Sequence, residues 1–354
     1  MIGGRIMINK IVLEDLQEIV AENLDWEKLK NSTVLITGAS GMLPSYMAET
    51  LLYLNQNKNL NIKVVGVVRN LEKAKNRFAE YANRNDLILI KHDVCQSFHY
   101  DDKVDYIIHA AGQASPKFYG SDPVGTLEGH VIGTANFLKF AVEKNIKCFL
   151  YFSSCAVYGD NFEQCANENF VGKTDSLDLR SCYPLGKLTG ENLCVAYHHQ
   201  YKIPFKILRI AHTYGPLLQL DDGRVFADFV ANILRNENIS LNSDGNAERP
   251  LLYISDAVKG YFKILLHGEN CSAYNVVSEE YIRILDLANI LINLYPEKNL
   301  QVVFNKKISN NYLLSKSHAP RIDVTKLKNL GWIPKISARE GFKRTVESFN
   351  YHCE

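Results

Sequence analysis

The chain has 354 residues, a formal net charge of +1, 46% hydrophobic and 22% charged residues, proportions that suit a globular protein with one large domain and a lobe, or two modest domains. Near-neutral charge gives no reason to expect nucleic acid or an anionic membrane as partner, and no apolar run reaches the length of a membrane span. The eight cysteines, at 95, 148, 155, 165, 182, 194, 271 and 353, show neither Cys-x-x-Cys nor paired His spacing, so no metal is expected; free thiols, and a start (1–10) without a signal peptide's apolar core, fit a cytoplasmic protein.

In chain order, residues 11–30 carry apolar side chains at helical spacing (Ile11, Leu13, Leu16, Ile19, Val20, Leu24). This predicts an amphipathic extension packed on the main body or on a second subunit. The apolar run 33–36 then reads as a buried parallel strand. It leads into Thr37-Gly38-Ala39-Ser40-Gly41, whose glycines allow a sharp turn and close backbone approach to a pyrophosphate. The pyrophosphate would rest on the N-terminus of the next helix, over 43–54, with the amides around Gly38, Ser40, Gly41 and Met42 as its donors. Pro44 stands where a third Gly or small residue is usual. Proline is tolerated in a first helical turn, yet the small residue that allows close helix–strand packing is lost.

Further strands are predicted at 63–68, 87–91, 106–109, 148–153 and 206–210, with helices over 71–84, 125–144 and 187–201. This alternation predicts an α/β fold built on a doubly wound parallel sheet. Past Tyr214-Gly215-Pro216 the pattern loses regularity, which predicts a smaller C-terminal α/β lobe over the carboxyl edge of the sheet, where ligands bind. The expected division is an extension over 1–30, a dinucleotide domain over 31–214, and a mainly substrate-binding lobe over 215–354 with some segments returning to the first domain.

Two features carry chemistry. Tyr183 and Lys187, four apart on one helix, put a phenol and an ammonium on one face; the ammonium favours the phenolate and is expected to lower the phenol pKa. That makes a base for an alcohol or sugar hydroxyl, with a serine of Ser153-Ser154 steadying the oxygen. The second strand ends Val68-Arg69-Asn70. An acid there suits the ribose diol of NAD, whereas Arg69 suits the extra phosphate of NADP, so both cofactors stay open.

Together these residues resemble the extended short-chain dehydrogenase/reductases, in their nucleotide-sugar epimerase/dehydratase branch, over about 31–345. The likeness is carried by Thr37-Gly38-x-x-Gly41, Asp93-Val94, His109-Ala110-Ala111-Gly112, Gly133-Thr134-x-Asn136, Ser153-Ser154-x-x-Val157-Tyr158-Gly159, Tyr183-x-x-x-Lys187, Arg209-x-x-x-x-Tyr214-Gly215-Pro216 and Leu330-Gly331-Trp332-x-Pro334. Gln113-Ala114-Ser115-Pro116, Arg180-Ser181-Cys182-Tyr183 and Asp221-Asp222-Gly223-Arg224-Val225 are most similar to its UDP-glucuronate decarboxylase group. The resemblance implies a Rossmann dinucleotide domain and a homodimer acting on a nucleotide sugar, with UDP as the first guess. It implies Tyr183 as the base at C4 of the sugar, Lys187 on the nicotinamide ribose and Ser154 on the sugar oxygen. Asp93 would meet the adenine, with Val94, Ala110, Ala111 and Gly112 lining the dinucleotide. Ser115, His212, Arg224 and Arg249 are the remaining substrate candidates, the arginines facing the diphosphate.

One departure changes the expected reaction. Dehydratases and decarboxylases of this branch carry Glu immediately before Val-Tyr-Gly; here that residue is Ala156. Weight therefore moves to C4 epimerisation or keto-sugar reduction. The rivals are a decarboxylase or dehydratase using another acid (Cys155, His130 and His212 are candidates) and a dinucleotide-binding protein without catalysis.

Overall fold

The computed structural model describes residues 9–159, 165–305 and 321–350; the reading of residues 1–8 and of Cys353 lies outside the described residues. Twelve strands are described: β1 (Thr33–Thr37), β2 (Lys63–Val68), β3 (Leu87–Lys91), β4 (Tyr106–His109), β5 (Cys148–Ser154), β6 (Phe205–Ile210), β7 (His212–Tyr214), β8 (Ile239–Leu241), β9 (Glu248–Tyr253), β10 (Ser272–Val276), β11 (Tyr281–Arg283) and β12 (Val302–Phe304). The helices are α1 (Lys10–Ala21), α2 (Met42–Lys58), α3 (Leu71–Arg77), α4 (Lys117–Ser121), α5 (Pro123–Lys144), α6 (Cys182–Tyr201), α7 (Val225–Arg235), α8 (Ile254–His267), α9 (Ile284–Ile292), α10 (Thr325–Lys328) and α11 (Ala338–Asn350).

Seven strands form one parallel sheet in the order β3-β2-β1-β4-β5-β6-β10. Its central members are continuous apolar runs because helices cover both faces: Val34, Leu35 and Ile36 of β1 and Ile107 and Ile108 of β4 are fully buried. The chain winds outward from β1 to β3, then returns to the other side of β1 at β4. The carboxyl ends of β1 and β4, Thr37 and His109, thus flank the point where strand order reverses, the usual place for a ligand crevice. β10, which no periodicity announced, adds to β6 with Tyr274 opposite Leu208 and Asn275 opposite Arg209. A three-stranded sheet (β11-β9-β7) and a pair (β12-β8) stand apart from it.

Several boundaries differ from the sequence reading for local reasons. The helix expected over 71–84 stops at Arg77, where Phe78 turns into the core at φ −106°, and continues only as a short 3-10 turn over Ala79–Tyr81. α6 begins five residues early, at Cys182, because Pro184 falls in the first turn, where no intrahelical N–H is required. Tyr183 and Lys187 therefore share one continuous helix. α1 packs on the body against α2, α8 and α11. Its buried face includes Val12 and Asp15 beside Ile11, Leu16, Ile19 and Val20, while Leu13 is only half-buried.

Candidate active site

The glycine-rich turn has the shape its composition predicts. Gly38 takes φ +67°, and a Cβ on it would lie 3.0 Å from the Ala111 Cα. The residue must be glycine both for its conformation and for that approach. Gly41 caps α2 without a side-chain acceptor, so the Met42 and Leu43 amides stay available to a ligand, whereas the Gly38 and Gly41 amides, expected as donors, are taken by the carbonyls of Val67 and Gly38. The geometry fits a dinucleotide pyrophosphate, drawn by free N–H groups and the positive end of the helix. Pro44 is buried in the first turn, its ring 3.3 Å from where a Gly41 Cβ would be.

Beneath the turn runs a buried relay that the motifs do not spell out. The Thr37 Oγ accepts the amides of Ala110 (3.1 Å) and Ala111 (3.0 Å) and meets His109 Nδ1 at 3.0 Å. With its acceptor capacity taken by two amides, the hydroxyl proton goes to Nδ1. His109 Nε2–H then donates to Thr134 Oγ (3.2 Å), and Thr134 donates to the His130 carbonyl (2.6 Å). Burial holds the His109 imidazole neutral, with its pKa near 3, which this proton order requires. Gly133 lets α5 rest on Val94, since a Cβ would be 2.8 Å from Val94 Cγ2. Asn136 Nδ2 donates to the carbonyls of Val94 and Gln96. Asp93 Oδ1 accepts from Cys95 N at 3.0 Å, closing the turn after β3. Arg69 is exposed at the end of β2, near Cys95 and Asp122.

Tyr183 lies in a box of aromatic and polar groups. Its phenol is set against the Ser154 hydroxyl, whose Oγ accepts from Ala156 N at 3.1 Å. Tyr119 of α4 stacks on its ring at 5.2 Å, and His130 of α5 meets it edge-on at 5.3 Å. Lys187 Nζ is 5.8 Å from the Tyr183 ring centroid and donates to the Phe152 carbonyl at 2.6 Å. The expected lowering of the phenol pKa is corrected here: burial pushes the Tyr183 pKa up, outweighing the opposing effects of the Ser154 hydroxyl and the Arg224 charge. Burial likewise pulls Lys187 down to about 7, so its ammonium is weakened as a source of positive charge.

Around this pair the substrate candidates split into two groups. Ser115 Oγ donates to the Asp222 carbonyl at 2.5 Å, Arg224 Nε pairs with Asp222 at 3.1 Å, and Arg224 Nη2 donates to the Ala114 carbonyl at 3.2 Å. The 221–224 loop is thereby clipped to the loop after β4. His212 feels both Arg224 and Arg249; burial first, then those charges, depress its pKa to about 3. Arg249 is 9% exposed on β9, and its Nη1 donates to the Glu248 carbonyl at 2.7 Å. Cys155, beside Ala156, donates to the Arg209 carbonyl at 3.2 Å, and burial pushes its thiol pKa well up. Among the described residues no cluster of His, Cys, Asp or Glu is placed to hold a metal ion, and no helix is long and apolar enough to cross a membrane.

The profile of the NAD dependent epimerase/dehydratase family matches residues 34–277. The chain belongs to this family. Among curated relatives, UDP-glucuronic acid decarboxylase 4 of Arabidopsis thaliana is 32% identical over 323 residues, covering 91% of this chain and 69% of the relative. Decarboxylase 6 of the same plant is also 32% identical, covering 90% and 89%. Of solved structures, UDP-glucuronic acid 4-epimerase from Bacillus cereus, with UDP-glucuronic acid and NAD, superposes with a TM-score of 0.76. It is 22% identical, covering 90% of this chain and 99% of the other. The dTDP-glucose 4,6-dehydratase from Streptomyces venezuelae gives 0.76 at 21% identity, covering 90% and 97%. The protein is accordingly an enzyme of the nucleotide-sugar epimerase/dehydratase type.

In this family member the Ser-Ser-x-x-Val-Tyr-Gly stretch is largely architectural. Tyr158 donates to Asn275 Oδ1 (2.7 Å) and accepts from Arg209 Nη1 (2.9 Å), tying β5 through β6 to β10. Gly159 has φ +72°, and any Cβ would strike the Lys173 carbonyl. Glu191, which sequence reasoning missed, sits at the centre of this network. Its one sequence signal is its place four residues after Lys187, on the same helix face.

Proposed function

We propose that the enzyme acts on a nucleoside-diphosphate sugar, with UDP as the first candidate base, by hydride transfer at C4, and that it completes the cycle by epimerisation or by reduction of a 4-keto sugar. The observation that carries this reading is the setting of the Tyr183 phenol against Ser154 with Lys187 beside its ring, together with alanine at 156. Tyr183 takes the hydroxyl proton and later returns it, Ser154 holds the sugar oxygen, and Lys187 supplies positive charge and a donor for the nicotinamide ribose. The bound dinucleotide supplies the hydride acceptor and donor. The turn of Gly38, Ser40, Gly41 and Met42 would hold its pyrophosphate, with the Met42 and Leu43 amides as donors; Asp93, Val94, Ala110, Ala111 and Gly112 would line its two halves. Arg224 and Arg249 would meet the substrate diphosphate, with Ser115 and a neutral His212 as further contacts.

Epimerisation and reduction need no proton-transfer group beyond Tyr183. Loss of water or carbon dioxide needs another, and the candidates near Ala156 fit that poorly. The Cys155 thiol is committed to a backbone carbonyl, His130 is buried and His212 half-buried, and both imidazoles are neutral. A second reading, decarboxylation, is favoured by the names of the relatives. NAD is the cofactor the family name favours, while exposed Arg69 supports NADP(H). Exposed Val124, Leu127 and Ile132 on α5 and Val195 on α6 support a homodimer, which light scattering would check. The seven described cysteines are free thiols, in keeping with a cytoplasmic setting.

The reading is tested by incubating the protein with UDP-, dTDP-, GDP- and CDP-sugars and each dinucleotide, with NMR of the products. Change at C4 alone is the expected result; no change in any sugar would favour a binding protein.

A further inference from the structure

Glu191 lies one turn beyond Lys187 on α6 and is 7% exposed. Its carboxylate is held from two other elements. Arg209 of β6 donates from Nε at 3.0 Å and Nη2 at 2.7 Å, a bidentate fork, and Ser153 of β5 donates from Oγ at 2.5 Å. Ser153 directly precedes Ser154, the partner of Tyr183. One buried carboxylate therefore fastens the helix that carries Tyr183 and Lys187 to the strand that carries Ser154. Arg209 is fixed in turn by the Tyr158 hydroxyl and by the Glu168 carbonyl, each at 2.9 Å.

A purely architectural ion pair could be exchanged for apolar residues at small cost. The placement of this one argues for more, because its negative charge sits on the Lys187 face of α6. Lys187 is faced by Tyr183 and Glu191 from its own helix, Tyr151 from β5, and the neutral imidazoles of His109 and His130 from β4 and α5. Arg209, Tyr151, Cys155 and Cys194 face Glu191. Of all these groups, Glu191 is the one whose charge acts against the burial of the Lys187 ammonium.

We propose that Glu191 is a positioning residue of the proton-transfer pair: it sets α6 against β5 so that Tyr183 meets Ser154, and its charge, on the same helix face as Lys187, favours the ammonium. The assignment rests on the roles given above to Tyr183 and Lys187. Its test reads the ionisation of Lys187 rather than turnover, so it fails or succeeds independently of the reaction.

The experiment is an NMR pH titration of the lysine side-chain ¹⁵Nζ signals of the purified protein, with Lys187 identified by its loss in Lys187→Ala. Glu191→Gln should lower the Lys187 midpoint by about one unit or more. Ser153→Ala, which removes a docking contact but keeps the carboxylate, should leave it in place. A merely architectural Glu191 would move both midpoints or neither. A folded Glu191→Gln protein with an unchanged midpoint overturns the proposal. Should that variant not fold, Arg209→Gln leaves the carboxylate without its guanidinium and should raise the midpoint; a midpoint that stays put overturns the proposal equally.

Discussion

At Tyr183 burial opposes the task proposed for the phenol. Desolvation of the half-buried phenol raises the cost of a phenolate, and only the Ser154 hydroxyl and the Arg224 charge work against it. The phenol is thus protonated in the resting site, suited to donating a proton as well as to accepting one when positive charge lies close. Tyr183→Phe removes this function and leaves the ring stacking of Tyr119 and the edge contact of His130 in place. Turnover should fall by about a hundredfold or more while the urea midpoint barely moves; a wild-type rate in the variant would remove Tyr183 from the chemistry. At Arg69, Ala substitution should weaken NADP(H) far more than NAD(H) by calorimetry if the guanidinium meets a 2′-phosphate. Equal losses would remove the case for NADP. Tyr183, Lys187 and Ser154 were legible because their spacing is the motif. Glu191 and the hydrogen bonds of Thr37 were not, because their partners come from other elements. Ser153 lies 38 positions from Glu191, and a Glu four residues after a Lys ordinarily reads as a solvated helix face.

At the scale of elements, α1 shows how a polar residue can be hidden in an amphipathic pattern. Asp15 is fully buried, accepting from Tyr46 of α2 at 3.0 Å and Tyr253 of β9 at 2.8 Å, with Arg344 of α11 at 3.1 Å. Burial outweighs these donors, and its pKa rises from 3.8 to about 7. The native state therefore binds the Asp15 proton more tightly than the unfolded chain does. This contribution to stability is complete below the unfolded pKa and is lost as pH rises through 7. The urea midpoint of the wild type should fall between about pH 4 and about pH 7, and Asp15→Asn should flatten that slope. Identical slopes would mean that Asp15 does not titrate in this range. The periodicity of residues 11–24 announced the helix, but apolar spacing carries no sign that an acid shares the buried face. The strands β1 to β6 were read almost residue for residue, since buried parallel strands are continuous apolar runs. β10 escaped because Ser-Ala-Tyr-Asn-Val is short and mixed, and the side chain of its buried Asn275 is satisfied by Tyr158, Ala166 and Asp323, all distant in sequence.

For the whole molecule, the order β3-β2-β1-β4-β5-β6-β10 brings the glycine-rich turn, the Asp93 turn and the Tyr183 helix to one edge, where the 221–224 loop is clipped over the site. Strand and helix alternation made this arrangement readable; the irregular chain after Tyr214, built on short strands of three to six residues, did not disclose its small sheets. We propose that the unit over 215–354 serves mainly to hold the sugar nucleotide, with β10 returned to the large sheet. We propose that hydride moves at C4 with no loss of carbon from the sugar. Incubating the enzyme with NAD and UDP-glucuronic acid labelled with ¹³C at C6, and following the label by NMR, tests it most directly. The label should stay on the sugar, with change confined to the C4 configuration or no turnover of this substrate; rapid appearance of ¹³C carbonate and an unlabelled UDP-pentose would contradict the account.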